Sequence, residues 1–128
     1  MNKTITYQLY AQRIFSFHWR ESIAFYRDTI GLSLAFLDES AGWAAFDIGG
    51  ASLAIERQDK SDPESAVLVG RFIGLSLAVD DIHQCYHTLV AKGVQFTAQP
   101  EAQPWGGTLV HFKDPDDNIM TLVSVDYS

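Results

Sequence analysis

The 128-residue chain holds one cysteine, Cys85, four prolines, and only nine Lys and Arg against sixteen Asp and Glu. A single cysteine excludes an internal disulfide and every four-cysteine or Cys-x-x-Cys zinc site, so a reducing, cytoplasmic compartment is the expectation. The shortage of positive charge leaves a formal net charge of −7. That argues against nucleic acid or an anionic membrane as partner, since either needs a basic face. No apolar run approaches the roughly 18 residues of a spanning helix. Gln8, Gln12 and Arg13 also interrupt the N-terminal stretch before the apolar core of an export signal develops. Apolar side chains, by contrast, are sufficient for a core. The chain is 47% hydrophobic and 20% charged, ordinary for one folded domain and too apolar for a disordered one.

Periodicity and turn residues divide the chain into two similar halves. Mixed polar and apolar β-formers predict a first strand over residues 4–17. Ile23, Phe25, Tyr26 and Ile30 recur at helical spacing over 22–30, with His18 or Ser22 as cap and Gly31 as stop. Strands follow at 33–38, 43–48 and 51–56, separated by residues 39–42 and by Gly49-Gly50. Residues 58–71 start polar, carry Pro63 and lack a clear period, so they read as a connector. The pattern then restarts with a strand at 72–79 and a helix at 82–92, capped by Asp80 or Asp81 and stopped by Gly93. Strands at 94–97, 107–113 and 119–125 complete it, the last two joined by an Asp-Pro-Asp-Asp-Asn turn at 114–118. Residues 1–57 and 72–128 thus each read β-α-β-β-β, giving one α+β domain of two modules offset by about sixty residues.

Five segments occur in a fixed order along this frame: SIAFYRDTIGL at 22–32, LAVDDI at 77–82, LVAKGV at 89–94, QPWGG at 103–107 and FKDPDDN at 112–118. Together they resemble the vicinal oxygen chelate family of glyoxalases, extradiol dioxygenases and bleomycin-resistance proteins. The resemblance implies two βαβββ modules, each curling into a cupped sheet with its helix on the convex face and ligand on the concave one. It also implies a homodimer. Alternation over 72–79 fits such a cup, because Leu75, Leu77 and Val79 share one face while Gly74, Ser76 and Ala78 share the other.

Catalytic members of the family hold a divalent metal with one His, Gln or Glu from each of four strands. Carried onto this chain, those positions are Ala11, Ala54, Gly74 and Thr121. The first three offer no side-chain donor, and a lone hydroxyl is a poor ligand. The resemblance therefore points to the metal-free, bleomycin-resistance-like branch, with no cofactor and a small aromatic or cationic ligand held by apolar walls and a few polar groups. Trp105, beside Gly106 and Gly107, is the leading stacking surface. Trp43, Phe46, Phe36 and Phe15 are the further walls, with Arg13, Glu56, Ser76 and His111 as polar contacts. Two competing readings stay open: a metal-dependent lyase or dioxygenase whose ligands are displaced in register, recruiting Gln12 or Glu56, and a metal-free enzyme using His111 as base.

Other chemistry-bearing residues read as structural. His83 and His87 lie four apart on a helix and face solvent; Cys85 sits beside apolar neighbours as an inert thiol. Asp114, Asp116 and Asp117 make a turn, lacking the spaced ligands and distal Glu of a calcium loop. Asp117 stands where the family has Gly, a position implying positive φ.

Overall fold

A computed structural model describes residues 4–125 and contains two mixed sheets and two helices. The first sheet has the order β1-β4-β3-β2, with β1 (Gln12–Ser16) parallel to β4 (Ala51–Arg57) and β3 (Trp43–Ile48) antiparallel to both β4 and β2 (Ser33–Asp38). The second has the order β5-β9-β8-β6. There β5 (Phe72–Ala78) runs parallel to β9 (Ile119–Val125), and β8 (Gly107–Lys113) pairs β9, β6 (Gln95–Phe96) and the two-residue β7 (Glu101–Ala102) antiparallel. The α+β class and the repeated module order agree with the pattern read from the sequence. Among the described residues no helix is long and apolar enough to cross a membrane.

Both sheets send alternate side chains into one core. Ile14, Ala44, Phe46, Leu53 and Ile55 enter from the first sheet, and Leu77, Val110, Phe112, Met120 and Leu122 from the second. The helical segments lie between: α1 (Trp19–Ala24) continues as a π-helical stretch, Phe25–Ile30, and α2 (Ile82–Ala91) covers the second sheet. Phe25 meets Phe112 at 6.2 Å between ring centroids, and Tyr26 meets Phe46 at the same distance, so one helical segment joins the two modules. It ends at Gly31, which takes φ +90 so that its own N–H and that of Leu32 return to the Tyr26 carbonyl.

Several boundaries differ from the sequence expectation, each for an identifiable reason. The first strand starts at Gln12 rather than residue 4, because β4 begins only at Ala51 and offers no partner farther back. The first helix starts at Trp19, three residues early, and His18 makes no side-chain cap. Its cap comes from the other module: Asp116 Oδ1 accepts the backbone N–H groups of Phe17 and His18 at 2.8 and 2.9 Å. Asp116 Oδ2 accepts the hydroxyls of Ser16 and Ser22, so Ser22 works from inside the helix. The second helix meets expectation, with Asp81 accepting from the Gln84 N–H at 3.1 Å. Residues 58–71 contain only a 3-10 turn, Ser65–Val67.

The 114–118 turn is therefore a junction as well as a hairpin. Asp114 accepts the Tyr26 hydroxyl at 2.8 Å, and the Asn118 amide donates to the Phe15 carbonyl at 3.0 Å while its oxygen accepts from Gly70 and Arg71. Asp117 takes φ +63. Burial pushes the Asp114 carboxyl above its ordinary pKa, against the lowering effect of its hydrogen bonds; burial beside Asp114 and Asp116 also raises the Tyr26 phenol well above its usual range.

Two stability predictions follow from this junction. Asp116→Ala strands four donors and should lower the unfolding free energy by about 3 kcal/mol or more in urea denaturation, with Ser124→Ala as an unaffected control. Tyr26→Phe should cost about 1–2 kcal/mol. Because a raised carboxyl pKa penalises the charged state above that pKa, and the Tyr26 donor relieves that penalty, the loss should be larger near about pH 7 than near about pH 4. An equal loss at both would mean that Tyr26 does not stabilise the carboxylate.

Candidate functional site

Since the core lies between the sheets, the faces available to a ligand are the outer ones, and register assigns them. On the first sheet Arg13 pairs Ala54 and Ala54 pairs Ala45; Phe15 pairs Glu56 and Glu56 pairs Trp43. These residues, with Phe36 opposite Ala45, form one outward surface. Tyr10, Phe36, Trp43, Ala45 and Ser52 line an open hollow of about 370 Å³ on it. Phe36 is 56% exposed, a large aromatic surface left in water. Glu56 accepts from the Arg13 guanidinium, whose pKa rises through that hydrogen bond and the neighbouring negative charge, and Arg13 also lies 5.3 Å over the Phe15 ring.

Phe46 does not belong to this surface. It is fully buried, paired with Leu53 and packed against Tyr26. Three positions separate it from Trp43, and a regular strand places such residues on opposite faces.

The second sheet presents a different outer face. Ser76, Thr121 and His111 form a row across three strands, since Ser76 pairs Thr121 and Thr121 pairs His111. His111 Nδ1 lies 2.8 Å from the Thr121 hydroxyl, and the Phe72 ring packs edge-on to the imidazole at 5.3 Å. Trp105 joins this face by replacing a missing side chain: a Cβ built on Gly107 would overlap the six-membered ring of Trp105. By alternation Gly107 lies on the same side as Leu109 and His111, so the indole folds over that side and remains 57% exposed. Gly106 makes the preceding turn with φ +99.

The ten residues expected at one site are thus divided. Arg13, Phe15, Phe36, Trp43 and Glu56 share the first outer face; Ser76, Gly106, Trp105 and His111 belong with the second; Phe46 is core. Tyr10, Ala45, Ser52, Phe72 and Thr121 join the surfaces without having been singled out as contacts. Parity with Trp43 and Ser76 was the signal for Ala45 and Phe72. Tyr10 carried none, because the hollow forms only in three dimensions.

The metal positions implied by family resemblance can be tested against the same registers. Ala54 and Thr121 lie on outer faces, and Gly74 sits with φ +75 in the irregular stretch of β5 between Phe72 and Ser76. A methyl, a hydroxyl and a hydrogen there, with Ala11 as the fourth position, do not fit a divalent cation. Gln12 has the parity of core-facing Ile14, and Glu56 is engaged by Arg13. His83 and His87 are exposed on α2, and among the described residues no three His, Cys, Asp or Glu side chains converge. Burial raises the pKa of the Cys85 thiol, consistent with an unreactive side chain.

Comparison with known proteins adds a family match and three related chains. Residues 10–122 match the family model described as Glyoxalase/Bleomycin resistance protein/Dioxygenase superfamily. A crystal structure of a member of that superfamily from Sphaerobacter thermophilus is 30% identical, with a TM-score of 0.78 over 94% of this chain and 98% of the other. A bleomycin resistance protein of Klebsiella pneumoniae is 27% identical over 80% of this chain and 82% of its own length. The YraH protein of Bacillus subtilis is 28% identical over 81% and 88%.

The packing of Trp105 on Gly107 yields a direct prediction. Gly107→Ala should displace the indole, increase acrylamide quenching of the exposed tryptophan and cost about 1–3 kcal/mol of stability. Unchanged quenching would remove Gly107 as the support of that ring.

Proposed function

The chain belongs to the Glyoxalase/Bleomycin resistance protein/Dioxygenase superfamily, and from that membership we propose that it binds a small aromatic or cationic molecule without metal, in a cup built by two copies. The observation that carries this reading is the exposed aromatic surface on both outer faces, with carbon and hydroxyl groups where metal donors would stand. Trp43 and Phe36 on one face and Trp105 on the other provide stacking surfaces, and each is flanked by few polar groups, the composition expected of an organic-ligand site. The net charge of −7 favours a positively charged guest.

The two-copy arrangement follows from the shared core. The first outer face and the second point away from that core on different sides, so neither walls in the other within one chain. A homodimer that apposes the first sheet of one copy with the second sheet of its partner would enclose Trp43, Arg13 and Glu56 together with His111, Ser76 and Trp105. The similarity to a protein named for bleomycin resistance makes metal-free bleomycin the first probe.

A second reading is catalytic. The 2.8 Å contact between His111 Nδ1 and Thr121 orients the imidazole and leaves Nε2 for a ligand, an arrangement suited to a general base.

Tryptophan fluorescence tests the binding reading. Bleomycin or a planar aromatic cation should produce a saturable change in the micromolar range, and Trp43→Ala and Trp105→Ala should each weaken it about tenfold or more. Absence of saturation up to about 1 mM across these probes would refute sequestration of such ligands. Calorimetry with Ni²⁺, Mn²⁺ and Zn²⁺ should show no stoichiometric micromolar site; finding one would turn the assignment to metal-dependent chemistry.

A further inference from the structure

Two short segments have side chains that neither the core nor the outer faces use: Phe-His-Trp-Arg at 17–20 and Arg-Gln-Asp-Lys at 57–60. Parallel pairing puts them side by side. Ser16 ends β1 opposite Arg57, and the Gln58 N–H donates to the Ser16 carbonyl at 2.8 Å, so both strands release the chain at one end of the sheet. Phe17, His18, Trp19, Arg20, Glu21 and Arg57 line a hollow of about 290 Å³ there. An adjoining hollow shares Phe17 and His18 with it and brings in Lys60, whose Nζ lies 6.0 Å over the Phe17 ring. Three of the chain's nine Lys and Arg thus gather at one place in an acidic protein. By parity Arg57 shares the side of Ile55, opposite that of Glu56 and Trp43, so the hollow is separate from the aromatic surface of the first sheet.

Arg57 is held from three directions. Its guanidinium lies 5.2 Å from the centroid of the Trp19 ring, which is itself fixed by donation from the indole N–H to the Ile55 carbonyl at 2.9 Å. A Cβ at Gly42 would come within 2.8 Å of the Arg57 Cβ and 3.1 Å of its Cζ and Nε, so the glycine, at φ +65, leaves the space the side chain occupies. Nη1 donates to the Glu39 carbonyl at 3.0 Å. Among the described residues Nη2 and Nε have no acceptor, and no carboxylate pairs with Arg57.

The surroundings leave this fork open to an anion. Arg20 takes both oxygens of the Glu39 carboxylate at 2.8 and 2.9 Å, so that negative charge is already matched. Asp116 occupies the backbone N–H groups of Phe17 and His18, so an anion in the hollow is held by side chains rather than by the start of the helix. Glu21 is the one carboxylate among the residues lining the hollow. An immobilised guanidinium loses little further freedom on binding, and its planar fork matches the oxygens of an oxyanion.

We propose that this hollow is a second binding site, apart from the aromatic faces, for the phosphate group of a small phosphate monoester. Arg57 is its principal contact, and His18, Arg20 and Lys60 supply the surrounding donors. A phosphate carries close to two negative charges and three acceptor oxygens, so it can draw on donors from several directions at once, whereas a single carboxylate is satisfied by one fork.

Calorimetry of the full chain with methyl phosphate, which has no aromatic part to stack on the outer faces, tests this at about 0.15 M salt. One saturable site should appear with a dissociation constant of about 1 mM or tighter, and acetate should bind about tenfold more weakly or not at all. Arg57→Lys keeps the charge and removes the fork; Gly42→Ala keeps every charge and displaces the guanidinium. Each should weaken methyl phosphate about fivefold or more with circular dichroism unchanged, and Glu21→Gln should tighten it. Lys92→Ala, which removes a cation at the end of α2, should leave the affinity as it is. No saturation up to about 10 mM, or equal weakening by Lys92→Ala and Arg57→Lys, would overturn the site. Acetate binding as tightly as methyl phosphate would overturn its assignment to phosphate.

Discussion

The architecture depends on one buried carboxylate. Asp116 extends from the second module into the start of the first helix and receives four hydrogen bonds, two from backbone N–H groups and two from hydroxyls. An ionised carboxylate out of water is costly unless its oxygens are fully engaged. N–H groups at a helix start are costly unless something accepts from them. Here each need meets the other, across about a hundred residues of sequence. Asp114 and Asn118 brace the same turn against Tyr26, Phe15 and the Gly70-Arg71 backbone, so the turn's left-handed residue, Asp117, is held by its neighbours' bonds rather than by glycine.

This junction determines where a ligand can go. By fastening the β8–β9 turn to the end of β1, it holds one face of each sheet against a shared core and leaves the other two outward. The groups for ligand recognition then fall on separate surfaces, aromatic with one ion pair on the first sheet and a hydroxyl–imidazole row under an indole on the second. On the first sheet a single copy offers an open hollow. On the proposed reading, two copies that appose unlike sheets would bring these groups together.

Much of this was legible in the sequence because strand alternation and glycine or Asp-Pro turns are local signals. Ser33–Asp38, Trp43–Ile48, Gly107–Lys113 and Ile119–Val125 fall where those signals put them. The misreadings come from interactions that no local window contains. The helix starts early because its cap lies in the other module. The first strand shortens because β4 gives it nothing to pair with. The two-residue β7 exists only through β8. Phe46 is a different case: period two already separates it from Trp43, so its burial was readable and an aromatic residue on the right strand was assigned to the wrong face. Which candidates share a face could be read from parity, but which face of each sheet meets the core could not, because that depends on packing between the modules.

The distribution of hydrogen-bond capacity separates scaffold from site. Among the described residues every buried side-chain nitrogen or oxygen has a partner, including the whole Ser16–Ser22–Asp114–Asp116–Asn118 network. That network is saturated, so it can hold the modules together but has nothing left to offer a ligand. The second sheet carries a similar set of small polar groups on its outer face, and there the balance differs. The His111 ring uses one nitrogen on Thr121, and exposed Ser76 stands beside them in register. The two clusters share much of their chemistry and differ in completion. An incomplete polar row next to exposed Phe72 and Trp105 is the kind of surface whose remaining bonds are made by a guest, whereas an equally polar but closed network is architecture.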